Sequence, residues 1–248
     1  MKKLMIAAAA ALCATVGFGD VESANIVGYQ AIPAPQGSSM RTATFQQIGV
    51  EGYDLTAISV TGAEGIGDVV AQLISSEGTW NGEYYFLTED GAGVTTGWYK
   101  DATGDVAVEE GEVILPQGGA FALYSDYNEL ELLVGGEVVK GDYVINFAQG
   151  SGMIGNGLPV ERDLTEFVVA GSEGIGDVVA QAISAEGTWD GEYYFLTEDG
   201  AGVTTGWYKD ATGDQAVEAG EVTIAPGESL SLYSDYNDLV ITLPKAID

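Results

Sequence analysis

The 248-residue chain has no histidine and a single cysteine, Cys13. Cys13 lies in an N-terminal apolar stretch expected to be removed, so the mature chain would have neither residue type. That excludes disulfides, thiolate metal sites and cysteine nucleophiles. It also removes the commonest general base, the imidazole metal ligand and the Ser-His-Asp triad. Basic residues are scarce: 8 Lys and Arg face 38 Asp and Glu, for a net charge of −30. Such a surface repels nucleic acid and anionic lipid and gathers cations, so no nucleic-acid partner is expected. Long apolar runs are missing too, apart from Leu4 to Phe18, which is short for a membrane span.

That run follows Lys2 and Lys3 and leads into small residues and the first acid, Asp20. The order of charge, apolar core and small residues is that of a secretory signal peptide. Residues 1–19 are assigned to it, with a cut near Ala24 as the alternative. Leu12 is too large for the position before a lipidated Cys13, so no lipid anchor is expected. The protein is expected to be exported, to the periplasm, the cell surface or the medium.

What the chain has is a repeat. Gly82 to Asp105 recurs unchanged at Gly191 to Asp214, and 58 of 80 positions match between Asp54–Leu133 and Asp163–Thr242 at a constant offset of 109. A fainter match at an offset of 113 pairs Gly28, Gln36, Gly37, Ser38 and Met40 with Gly141, Gln149, Gly150, Ser151 and Met153. The expected organisation is two tandem units, 20–135 and 136–248, with a boundary at Gly135-Gly136. About 110 residues per unit can bury a core without cross-links.

The two copies act as an internal substitution experiment. Leu130, Leu132 and Val134 become Leu239, Ile241 and Leu243, while Glu131 between them becomes Val240. Ile58 and Val60 stay apolar as Phe167 and Val169, whereas Ala57, Ser59 and Thr61 become Glu166, Val168 and Ala170. One alternate set is held and the other drifts, as in a strand with one buried face. Glycine turns at Asn81-Gly82, Asp90-Gly91 and Gly104-Asp105 fit a β-meander. Asp68–Ser75 and Asp177–Ser184 also show helical spacing through Ile66, Val69, Val70 and Leu73; their length and flanking glycines favour a strand. The expected fold is all-β, two tandem β-sandwich or barrel-like domains.

The segment VESANIVGYQ, from Val21, resembles the start of the mature chain in a group of exported bacterial β-repeat proteins. Gly67-Asp68 through Leu73, Gly78 to Trp80, Tyr84 to Thr88, Gly97 to Tyr99 and Pro226-Gly227 are similar to that group's repeat motifs. The first copy departs at the last motif, reading Pro116-Gln117-Gly118. The resemblance implies an exported β-repeat protein and no particular activity.

Two constellations could carry chemistry. Trp80, Trp98 and Tyr99, with Trp189, Trp207 and Tyr208 in the second copy, could stack on sugar rings if exposed; in strands such residues usually fill the core. Tyr84-Tyr85-Phe86-Leu87 is bulky on both faces, so one of these faces outward or lies under another layer. Asp101 and Asp105, with Asp210 and Asp214, could supply oxygens to Ca²⁺. The same acids also form turns through their own backbone, and no EF-hand spacing accompanies them. Glu109, Asp126 and Asn128 are nearby candidates of the same kind. The Gly-Ile-Gly-Asp runs at Gly65 and Gly174 lack the lysine of a phosphate loop. No carboxylate pair stands out as a glycosidase acid and base.

The expected function is that of an exported, non-enzymatic structural or surface-interaction protein presenting one acidic surface twice. Self-assembly or a cell-surface polysaccharide is the expected partner. The alternative is a pair of carbohydrate-binding modules using Trp and Tyr platforms, with or without Ca²⁺; a glycoside hydrolase comes third.

Overall fold

The computed structural model describes residues 27–44, 52–62, 69–75, 82–89, 93–125, 129–171, 178–184, 191–235 and 237–245. Copy 1 supplies β1 (Val27–Ala34), β2 (Gly37–Thr42), β3 (Tyr53–Asp54), β4 (Ser59–Thr61) and β5 (Val69–Ser75). It continues with β6 (Glu83–Leu87), β7 (Gly97–Tyr99), β8 (Ile114–Leu115), β9 (Ala120–Ser125) and β10 (Leu130–Glu137). Copy 2 repeats the series as β11 (Tyr143–Phe147), β12 (Gly150–Gly155), β13 (Arg162–Asp163), β14 (Val168–Ala170) and β15 (Val178–Ser184). Its remaining strands are β16 (Glu192–Leu196), β17 (Gly206–Tyr208), β18 (Thr223–Ile224), β19 (Ser229–Ser234) and β20 (Leu239–Leu243). Every named pairing is antiparallel, so the protein is all-β.

Each copy builds a three-stranded sheet, β1-β10-β4 or β11-β20-β14, and a five-stranded sheet, β2-β9-β5-β6-β7 or β12-β19-β15-β16-β17. A two-stranded ribbon, β3-β8 or β13-β18, completes it. The segments with helical spacing are strands. A register shift between Val69 and Ala71, and between Val178 and Ala180, breaks the alternation there. In copy 2 the consequence is visible, since the consecutive Val179 and Ala180 are both buried.

Alternation sets the core. Leu130, Leu132 and Val134 on β10 are buried while Glu131 and Leu133 face out. Phe121 and Leu123 on β9, with Phe86 and Trp98, join the same cluster as Ile32, Val60 and Leu132. The three-stranded and five-stranded sheets therefore face each other across one apolar layer. Copy 2 repeats this with Phe195, Trp207, Leu230 and Leu232 against Ile145, Val169 and Ile241. β10 runs through Gly135-Gly136 and stays paired with β1 as far as Glu137. The pairing thus passes the boundary read from the sequence by two residues.

The copies also touch, and they do so in matched pairs. Thr42 N–H donates to Gly227 O (3.0 Å), and its equivalent Gly155 N–H donates to Gly118 O (3.1 Å). Isolated bridges join Arg41 to Glu228 and the equivalent Ile154 to Gly119. Gly118 and Gly227 have φ of +73° and +78°; a Cβ would lie 2.4 Å from Ile145 in one case and 2.7 Å from Ile32 in the other. Ile32 and Ile145 are themselves equivalent. Residue i meeting j while the equivalent of j meets the equivalent of i is an isologous, two-fold arrangement, here within one chain.

Candidate functional site

The aromatic residues singled out in the sequence fall into three groups. Trp98 and Trp207 point inward from β7 and β17, 4% and 5% exposed. Their indole N–H groups donate to Ile58 O and Phe167 O, both at 2.8 Å. Each packs edge-to-face on the registered partner across the strand pair, Phe86 at 5.1 Å and Phe195 at 5.3 Å. A ring enclosed on both faces cannot stack on a sugar, so these two are core residues and not platforms. Tyr99 and Tyr208 are equally covered. Their hydroxyls donate to Thr95 O and Thr204 O (2.8 Å) and accept from the amides of the same threonines. Trp80 and Trp189 lie outside the described residues.

The acidic loops are turns. Asp101 Oδ1 accepts from the amides of Thr103 (3.0 Å) and Asp105 (3.1 Å), and Oδ2 from Val106 N–H (2.9 Å). Asp210 repeats this with Thr212, Asp214 and Gln215. The Thr103 hydroxyl and these amides hold the Asp101 carboxyl at a pKa of about 2. Among the described residues no three metal-ligating side chains converge at Asp101 and Asp105, at Asp210 and Asp214, or elsewhere. The Asp101 and Asp210 carboxylates thus close their own loops, and Asp105 and Asp214 each accept from the threonine hydroxyl between them, the geometry of a turn. Glu109 likewise takes part in a turn with Glu112; Asp126 and Asn128 lie outside the described residues.

The loop matters in another way. A Cβ on Gly104 would lie 2.6 Å from Val94 and 3.1 Å from Leu87. The loop therefore lies against Leu87 on the outer face of the five-stranded sheet and buries it. Beyond its cover, that face carries tyrosine. Tyr124 on β9 and Tyr85 on β6 are each registered with Gln72 of β5, so they share one face two strands apart, about 10 Å. Tyr233, Gln181 and Tyr194 repeat the row in copy 2. Tyr124 and Tyr233 are each 43% exposed, and Tyr85 and Tyr194 are half-buried. Tyr85 donates to Glu83 Oε2 and Tyr194 to Glu192 Oε2, both at 2.6 Å. These bonds fix the rings along the strand and raise both phenol pKa values. Ile183 extends the copy 2 face, registered between Ser231 and Glu192 and exposed.

The sequence contained the signal for this row. Period-two alternation puts Tyr124 on the face opposite Phe121 and Leu123, and the doubly bulky Tyr84–Leu87 stretch required one outward residue. A scan against protein-family profiles, a search of curated proteins and a search of solved structures each found no match to this chain.

Proposed function

We propose that the protein is an exported, non-enzymatic surface-interaction protein. Its two domains, 20–135 and 136–248, each offer one tyrosine-bearing sheet face to a neutral polysaccharide. The observation that carries this is the repeated outward row, Tyr124 with Tyr85 and Tyr233 with Tyr194. A tyrosine ring offers an apolar face for a pyranose and a hydroxyl for its rim. The net charge of −30 disfavours anionic glycans and leaves uncharged ones. Two equivalent faces on one chain raise the effective concentration of the second contact once the first is made.

Pull-down on insoluble neutral polysaccharides tests this reading. The parent protein should be retained, and Tyr85→Ala/Tyr124→Ala/Tyr194→Ala/Tyr233→Ala should be released while keeping its circular dichroism spectrum. Retention of the quadruple variant at parent level would sink the proposal.

A second reading, self-assembly, is favoured by a different face. Val144, Val168 and Val240 are exposed on the outer side of β11-β20-β14, where copy 1 has Ala31, Ser59 and Glu131. Electron microscopy with and without Ca²⁺ decides it, because screening must overcome the charge. Monodisperse particles in both conditions would rule out assembly.

A further inference from the structure

The tyrosine rows carry a spacing, and copy 2 shows it in full. Tyr233, Gln181 and Tyr194 stand in register on β19, β15 and β16, and alternation turns all three outward. Ser151 of β12 precedes Tyr233 in the same row and is exposed, while Tyr208 of β17 follows Tyr194 and is covered. Both open tyrosines are tied to a carboxylate two residues along the chain. Tyr194 donates to Glu192, and Tyr233 is hydrogen-bonded to Asp235. Residues two apart on a strand are separated by about 6–7 Å, which a tyrosine spans only by lying along the strand. Each ring therefore lies down on the sheet and leaves one side to solvent. β16 and β19 are both antiparallel to β15 and so run parallel to each other. Tyr194 leans toward the start of its strand and Tyr233 toward the end of its own, so the rings part in opposite directions across Gln181. Two strand spacings and this offset put their centres about 10–12 Å apart.

Copy 1 repeats the row as Ser38, Tyr124, Gln72, Tyr85 and Tyr99. Resting on the reading of these faces as polysaccharide sites, we infer that the ligand is a single strand of neutral β-1,4-linked hexose. The two tyrosines stack on its first and third rings, and the Gln181 amide, half-buried between them, meets the hydroxyls of the second. The spacing is what selects the linkage. In a β-1,4 strand successive rings flip, so rings two apart present the same face along a nearly straight axis, at a separation close to that of the two tyrosines. In α-1,4 and β-1,3 strands the rings wind about an open helix, and rings two apart turn different faces to a sheet. The row is itself twisted, by roughly 40–50° over two strand steps. A single strand follows that twist, and the flat face of a crystallite does not. Glu192 and Asp235 flank the platform as carboxylates already bonded to the phenols, so a uronic acid in place of the neutral hexose would be repelled.

Calorimetric titration of the full-length protein with soluble oligosaccharides tests the linkage. In at least one β-1,4 series, of glucose, mannose or N-acetylglucosamine, affinity should rise at least about tenfold from disaccharide to trisaccharide. Only the longer ligand reaches both tyrosines, and a fourth ring should add little. The trisaccharide should fill two equal sites, and Tyr194→Ala, with an unchanged circular dichroism spectrum, should leave one. The α-1,4 and β-1,3 trisaccharides of glucose should show no such step. If the parent is retained in pull-down but those trisaccharides bind equally well, or no β-1,4 series shows the step, the linkage is overturned and the polysaccharide reading stands. Two sites persisting in Tyr194→Ala would overturn it as well. If the parent is retained on no polysaccharide, both readings fall.

Discussion

Tyr53 in copy 1 and Arg162 in copy 2 occupy equivalent positions and tie the same strand end with different chemistry. The Tyr53 hydroxyl donates to Gly135 O and accepts from Gly135 N–H, both at 2.9 Å. In copy 2 the equivalent of Gly135 is Pro244, which has no N–H to give. An acceptor would be wasted there, and a donor-only guanidinium fits instead: Arg162 Nη2 donates to Pro244 O and Lys245 O, both at 2.9 Å. The exchange shows that the copies diverge in coupled sets, because each backbone change alters which side chain can satisfy it. Gln30 with Thr44, against the equivalent Tyr143 with Gly157, is the second such set: a Cβ on Gly157 would lie 1.9 Å from the Tyr143 hydroxyl, so that glycine makes room for the ring.

The largest expected effect probes where the copies are identical. Trp98→Ala and Trp207→Ala should each destabilise by about 3–5 kcal/mol in urea unfolding, through the cavity and the lost indole bond. Unequal losses would break the equivalence of the two cores. Next come the seam glycines. Gly118→Ala and Gly227→Ala force a Cβ into Ile145 or Ile32 from a left-handed backbone, at about 1–3 kcal/mol each. A loss at only one of them, in calorimetry, would show that the two-fold match is not energetic.

The strand-end pair gives a smaller effect. Tyr53→Phe should lose about 1–2 kcal/mol by leaving both backbone groups of Gly135 unpaired. Tyr53→Arg should not restore it, since the Gly135 N–H still lacks an acceptor; full recovery would refute the coupling.

The loop acids come last. Because the folded Asp101 pKa is lowered from 3.8 to about 2, its contribution is present above about pH 4 and fades as pH falls through 2. Asp210 is shifted the same way for the same reason, so the two copies should lose this support together. Asp101→Asn and Asp210→Asn should therefore lower the melting temperature near neutral pH and converge with the parent as pH falls below about 2. The Lys100–Glu112 and Lys209–Glu221 pairs are exposed, and Lys100→Ala should change stability by no more than about 0.5 kcal/mol, less in salt.

Much of the fold was legible from comparing the copies. Held apolar positions such as Leu130, Leu132 and Val134 mark the buried face because water penalises a change only there. The outward drift of Glu131 to Val240 marks the other face for the same reason. The strand at Val69–Ser75 was harder to read, because its bulge shifts the period on which the alternation depends. Trp98 and Tyr99 illustrate the limit. Sequence places them on opposite faces of β7, but only the fold shows that both are covered, one by the core and the other within the bonds of its own loop at Thr95.

By itself the sequence determined the all-β class, the duplication, the charge and the exclusion of thiol and imidazole chemistry from the chain beyond Cys13. These follow from composition and from period two, which are local properties. Tertiary structure decided which aromatics are open, that the acidic loops spend their carboxylates on backbone amides, and that the copies close on each other across a two-fold seam. The seam and the strand-end ties depend on which atoms meet across 80 or more residues of chain, as Thr42 meets Gly227 and Tyr53 meets Gly135, and no local pattern encodes such a meeting.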